Sequence, residues 1–110
     1  MTRLALAALL LASTPALADA TGTASWYSQG HVTASGERYD RHGLTAASRT
    51  LPFGTRVLVS RMDDHRHVIV RINDRGPWKR GRVIDLSQAA GERLGIGRCG
   101  VAHVIVQVLR

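Results

Sequence analysis

The sequence lacks most of what staples or anchors a small protein. It has a single cysteine, Cys99, in 110 residues. That excludes an intramolecular disulfide framework, and no Cys/His cluster has the spacing of a structural zinc site. Aromatic residues make up only 5%, so the core must be built from Val, Ile, Leu and Ala. Acidic residues are scarce, 8 Asp+Glu against 15 Lys+Arg for a net charge of +7, and every cation except Lys79 is an arginine. No apolar run reaches the 18 or so residues that a membrane helix needs. There is no linker, repeat or low-complexity tract, and the length allows one domain.

What apolar run there is lies at the start. Arg3 precedes an unbroken apolar stretch, Leu4 to Ala12, followed by Pro15 and the small-residue pattern Ala18-Asp19-Ala20. This is the layout of a cleavable secretory signal over residues 1–20, with Ala16-Leu17-Ala18 as a second cleavage site. No cysteine lies near either site to carry a lipid, so no stable membrane anchor is expected. A periplasmic or secreted protein comprising residues 21–110 follows. Its net charge stays at +7, because one cation and one anion leave together.

The remaining chain reads as short strands. Thr23–Ser28, Leu44–Ser48, Arg56–Ser60, His67–Ile72, Arg82–Leu86 and Val101–Leu109 carry β-branched or alternating apolar residues between turn signals. Asp63-Asp64 supplies one turn, and Asn73-Asp74-Arg75-Gly76-Pro77 ends the fourth strand. Ser87 is placed to cap a short helix that stops near Leu94-Gly95. About six strands and a short helix in so small a chain predict a β-barrel, whose closure removes exposed sheet edges.

Two carboxylates sit where a rigid barrel would present them. Glu37 follows a Ser-Gly turn, and Asp74 stands at the end of an apolar strand. Paired carboxylates are the minimal equipment for cleaving a glycosidic bond, but Asp and Asn at such positions also simply form turns. Asp85 is the weaker candidate, since helix capping or a hydrogen bond within the barrel would account for it.

The segments ASWY (24–27), TASGERYD (33–40), LTAAS (44–48), LPFGTRVLV (51–59), VRINDRGP (70–77) and GRVIDLSQAAGERLG (81–95), taken in order, resemble the RlpA-like family of bacterial wall proteins. The resemblance implies a mainly β fold, a six-stranded double-psi β-barrel with one or two short helices. It also implies endolytic cleavage of peptidoglycan glycan strands, poor in stem peptides, to 1,6-anhydro-N-acetylmuramic acid ends, with no cofactor. It places the acid/base on Asp74 and a supporting carboxylate on Glu37. The family's third position, a histidine, is occupied here by Ser48, which cannot carry charge. His31 or His42 is a candidate replacement in space.

In such a reaction the sugar's own 6-hydroxyl attacks, so one carboxyl can protonate the leaving oxygen and then accept the hydroxyl proton. Asp74 would then need to hold a proton, through partial burial or the negative charge of Glu37. The basic cluster around Arg75, Lys79, Arg80 and Arg82 reads either as a solvated face or as a grip on glycan carboxylates. Trp26, Tyr27 and Trp78 offer stacking surfaces, the first two being equally good core residues. The candidate substrate contacts are Arg75, Trp78, Arg80, Arg82 and Tyr39.

Other patterns are weaker. Gly95-Ile96-Gly97-Arg98-Cys99-Gly100 matches a dinucleotide fingerprint in letters but follows a helix and precedes a strand, the reverse of the required context. His65-Arg66-His67 lacks a third metal ligand and reads as a hairpin end. Cys99 is read as structural, a nucleophile pair with His103 being poorly supported. With no recognition helix or stacking platform, nucleic acid is not an expected partner. A monomer acting on wall glycan is expected, the alternatives being an inactive wall-glycan-binding barrel and a scaffold.

Overall fold

The computed structural model describes residues 19–28, 31–97 and 100–109. Most of the expected signal segment, the Ala16-Leu17-Ala18 site, and Arg98 and Cys99 lie outside them.

Six strands close on themselves. They are β1 (Ala20–Tyr27), β2 (Thr45–Ala47), β3 (Arg56–Arg61), β4 (His67–Asp74), β5 (Arg82–Ser87) and β6 (Ala102–Val108), with one short helix, α1 (Gln88–Arg93), between the last two. Around the barrel the order is β1-β5-β2-β4-β3-β6. The pairs β1/β5 and β2/β4 are parallel, whereas β1/β6, β2/β5, β3/β4 and β3/β6 are antiparallel.

Alternation fixes which side chains fill the interior. In β4, Val68, Val70 and Ile72 are buried while His67, Ile69 and Arg71 face out, and in β6 Ala102, Val104 and Val106 are buried. With Val57, Val59, Ile84 and Leu86 they form the aliphatic core that the scarcity of aromatics required. Each fully buried Val, Ile or Leu contributes about 1.5–3 kcal/mol.

The helix closes one side of this core. Ser87 caps it by accepting from the Ala90 backbone N–H, and Leu94 follows its last turn with no exposed surface. Gly95, at φ +73°, provides the left-handed residue that ends the helix. Gly91 is buried because Trp26 crosses it, leaving no room for a Cβ, and the indole N–H donates to the carbonyls of Ile96 and Gly97. Trp26 is therefore a core side chain.

Two strand ends differ most from expectation: β1 begins at Ala20, not Thr23, because Ala20 to Gly22 pair with Val106 to Val104 of β6, and β4 runs past Ile72. β4 continues through Asn73 and Asp74 because Ala47 pairs with Asp74, past a register shift in β2, and the Asn73 carbonyl accepts from Ser35 N–H. The tertiary pairing overrides the turn preference of Asn-Asp.

Candidate active site

The register of three neighbouring strands sets two aspartates side by side. Ala47 in the short strand β2 stands opposite Asp85 of β5 on one side and opposite Asp74 of β4 on the other. Two inter-strand steps of about 4.8 Å each separate the aspartates, and Ala47 between them is buried. Ser25 of β1 extends the row beyond Asp85.

Four groups converge on Asp74. Its Oδ1 accepts the backbone N–H groups of Ala34 and Arg75, each at 2.9 Å. Its Oδ2 accepts the Tyr27 hydroxyl at 3.2 Å and lies 3.3 Å from His31 Nε2. Burial pushes the carboxyl's pKa up, but the bonds from Ala34, Arg75, His31 and Tyr27 together outweigh it and hold Asp74 below the usual range. Asp74 is thus a carboxylate near neutrality, contrary to the expectation that it holds a proton. Glu37 does not press a proton onto it either. Glu37 forms a two-pronged ion pair with Arg71, at 2.9 and 2.7 Å, and this pairing draws its own pKa down.

Asp85 is the opposite case. Burial, the largest influence, raises its pKa, the negative charge of Asp74 adds to the rise, and the Ser25 hydrogen bond and Arg82 oppose it. Ser25 Oγ donates to Asp85 Oδ1 at 2.8 Å, and Arg82 Nη1 donates to Ser25 Oγ at 2.9 Å. Two carboxyls whose surroundings push their pKa values apart are the arrangement from which acid and base roles arise. Sequence reasoning ranked Asp85 low because helix capping or a hydrogen bond within the barrel would account for it; the structure gives it such a bond, from Ser25, and strand pairing also brings it across Ala47 from Asp74.

An aromatic layer lies beside Asp74. The rings of Tyr27 and Tyr39 stack at 4.8 Å, and His31 lies nearly parallel to Tyr39 at 5.8 Å. Burial and Asp74 keep Tyr27 protonated far above its ordinary range, so it remains a donor. Tyr39, an expected substrate contact, is buried instead. Its hydroxyl donates to the Tyr27 carbonyl and accepts from Gln88 N–H. His42 lies elsewhere, its ring accepting from Arg41.

The remaining expectations divide. Ser48 meets Asp74 through its backbone N–H, which donates to the Asp74 carbonyl. Its buried hydroxyl turns away and accepts from Thr50 and Leu51 N–H. The Arg75 guanidinium is used within the protein, donating to the carbonyls of Ser48 and Leu51 and lying 4.1 Å over the Phe53 ring. Arg82 serves the Ser25–Asp85 chain rather than solvent. Trp78 and Arg80 are exposed. Among the described residues no group of three His, Cys, Asp or Glu side chains could hold a metal ion, and no helix is long and apolar enough to cross a membrane.

Barrel closure, strand order and two aspartates set on either side of one residue of β2 define a double-psi β-barrel protein. Comparisons with known proteins agree on the fold. The Streptomyces papain inhibitor superposes with a TM-score of 0.66 at 26% identity, over 84% of this chain and 96% of that one. An expansin from Clavibacter michiganensis superposes with the same score at 22% identity, over 84% and 51%. The profile of the lytic transglycolase family matches residues 19–106, and the chain belongs to that RlpA-like family. It is 51% identical over 92 residues to the probable endolytic peptidoglycan transglycosylase RlpA of Synechocystis, covering 81% of this chain and 29% of that protein. It is 52% identical over 89 residues to the endolytic peptidoglycan transglycosylase RlpA of Pseudomonas aeruginosa, covering 78% and 26%. The chain thus spans little more than a quarter of the length of these relatives.

Proposed function

We propose that the protein is an exported lytic transglycosylase that cleaves peptidoglycan glycan strands, poor in stem peptides, between N-acetylmuramic acid and N-acetylglucosamine. The observation that carries this reading is the pair Asp74 and Asp85 across Ala47, one carboxyl's pKa drawn below its ordinary value by its donors and the other's raised above it by burial. The names of the RlpA relatives support it. Residues 1–20 would serve as the cleaved signal.

In this mechanism Asp85 protonates the leaving 4-oxygen, and Ser25 with Arg82 behind it stabilises the carboxylate that results. Positive charge developing on the sugar faces the Asp74 carboxylate. The 6-hydroxyl attacks C1 as the C1–O4 bond breaks and gives its proton to the Asp74 carboxylate, closing the 1,6-anhydro ring. No water need be activated on the far face, which distinguishes this chemistry from hydrolysis. Glu37 acts one step removed: it ties the 33–37 loop to Arg71, and that loop supplies the Ala34 N–H to Asp74. Trp78 and Arg80, both exposed, would meet sugar rings and carboxylates.

A second reading, a wall-glycan-binding barrel without turnover, draws on Ser48, whose hydroxyl is committed to its own turn. Incubating the purified protein with stem-peptide-free glycan strands and weighing the products by mass spectrometry separates the two. Anhydro-ended products, absent with Asp74→Asn, are expected. Glycan binding without products would favour the second reading.

A further inference from the structure

The barrel wall has a gap beside β4. β2 is only three residues long and meets β4 from Arg71 onward. From His67 to Val70, β4 therefore has β3 on one side and no strand on the other. The Arg71 N–H donates away from β3, to the Leu44 carbonyl, and strand alternation points the N–H of Ile69, two residues earlier, the same way. Among the described residues no turn or ladder bond reaches that N–H.

A hollow of about 520 Å³ runs along this edge. Every residue from His67 to Arg71 lines it, inward-facing and outward-facing alike, so it follows the strand and not one face of the sheet. Leu44, Arg56 and Arg93 complete the lining. Arg56 stands directly opposite Arg71 across the β3/β4 ladder, and like charges so placed repel. Glu37 neutralises Arg71. Asp63 and Asp64 pair with Arg61 and Arg66, and Glu92 bonds Gln88. Among the described residues no ion pair reaches Arg56 or Arg93.

We propose that this edge is a docking site at which an extended acidic peptide adds to the sheet as a strand beside β4. The outward-pointing backbone supplies the hydrogen bonds of strand addition. Ile69, 40% exposed, offers an apolar contact on the outer face, and Arg56 and Arg93 select carboxylates. A simple anion would leave the Ile69 N–H unused, and a neutral peptide would leave both arginines unused. A second copy of the same edge would bring like charges together, so the partner is of opposite charge. The site stands independently of the transglycosylase reading.

The test titrates the full chain with a capped synthetic peptide of alternating Glu and Val, followed by amide NMR. Saturable binding is expected. With the peptide at about ten times its Kd, exchange of the Ile69 amide should slow about tenfold, because it then exchanges only from free protein. Arg56→Ser and Arg93→Ser should each weaken binding about twofold to fivefold, as loss of an exposed ion pair does. Neither should alter the count of anhydro ends. A peptide N-methylated at every residue should not bind, nor should one carrying Lys in place of Glu. Binding that survives full N-methylation, or that leaves Ile69 exchange unchanged, overturns strand addition. Equal binding of the Lys peptide overturns the acidic partner. No saturable binding of the acidic peptide at millimolar concentration removes the site, and inorganic phosphate shifting the same amides would then assign the arginines to a simple anion. Each of these failures leaves the anhydro-end assay, and the reading it tests, unaffected.

Discussion

Replacing Asp85 with Asn separates the chemistry of the site from the stability of the barrel. Asparagine has the shape of the protonated acid and can still accept the Ser25 hydroxyl now 2.8 Å from Oδ1, but it has no proton to give. Loss of a general acid typically costs 10²–10⁴-fold, about 3–5 kcal/mol of transition-state stabilisation, and turnover should fall by that much. Stability should move the other way. Burial raises the Asp85 pKa in the folded protein, so the group's contribution to stability is complete below its unfolded pKa and is lost as pH rises through the folded one. At neutral pH the wild type therefore bears the cost of a half-buried charge, and Asn does not. Thermal unfolding from about pH 4 to about pH 8 should show the wild-type Tm declining relative to the variant, so that Asp85→Asn is at least as stable as wild type near neutrality. Anhydro-end counting by mass spectrometry supplies the rate. An Asp85→Asn protein that turns over within threefold of wild type would refute the acid assignment. A Tm below wild type at neutral pH would show instead that the charge, through Arg82, serves the fold.

Three further outcomes follow from the packing. Gly91→Ala would put a Cβ 2.5 Å from Trp26 Cγ and Cδ1, and overpacking of this kind costs about 1–3 kcal/mol, offset by at most about 1 kcal/mol of helix propensity; thermal unfolding should register a lower Tm, and an unchanged one would mean that the indole moves freely. Arg71→Ala removes a half-exposed ion pair with Glu37 and should cost under about 1 kcal/mol, yet it should speed amide exchange at Ala34 and slow turnover, because Ala34 N–H is held on Asp74 by the same loop; unaltered exchange would detach Glu37 from the site. Ser48→His deprives the Thr50 and Leu51 N–H groups of their acceptor at about 1–3 kcal/mol and should not raise the rate; faster turnover with an intact Tm would restore position 48 to the catalytic set.

The barrel was legible because its strands alternate. Val68, Val70 and Ile72, or Ala102, Val104 and Val106, can bury only one face, and a chain of this length with no staple has few ways to do so other than closing on itself. Local preference misled where tertiary pairing was stronger. Asn73-Asp74 reads as a turn, but Ala47 and Ser35 hold both residues in β4. Side-chain roles were harder still. Arg75, Arg82 and Tyr39 have the right chemistry to grip a glycan, and nothing in their sequence positions reveals that carbonyls, a serine hydroxyl and a neighbouring tyrosine already use them.

The carboxylates illustrate the same division in one place. Asp74 stood out because it ends an apolar run, a local signal. Asp85 did not, because what makes it chemically distinct is a relation among three strands: the antiparallel pairing of β2 with β5 and the parallel pairing of β2 with β4 bring both aspartates to the single residue Ala47. The one trace of this in the sequence is the small size of that residue. A larger side chain at position 47, where the alanine is buried, would have to stand between the two carboxyls. His31 is a milder instance. Its residue type made it a candidate, but only closure of the loop onto Tyr27 and Tyr39 decides that it, and not His42, reaches Asp74. Residue identity supplied the chemical options, and the pairing of distant strands selected among them.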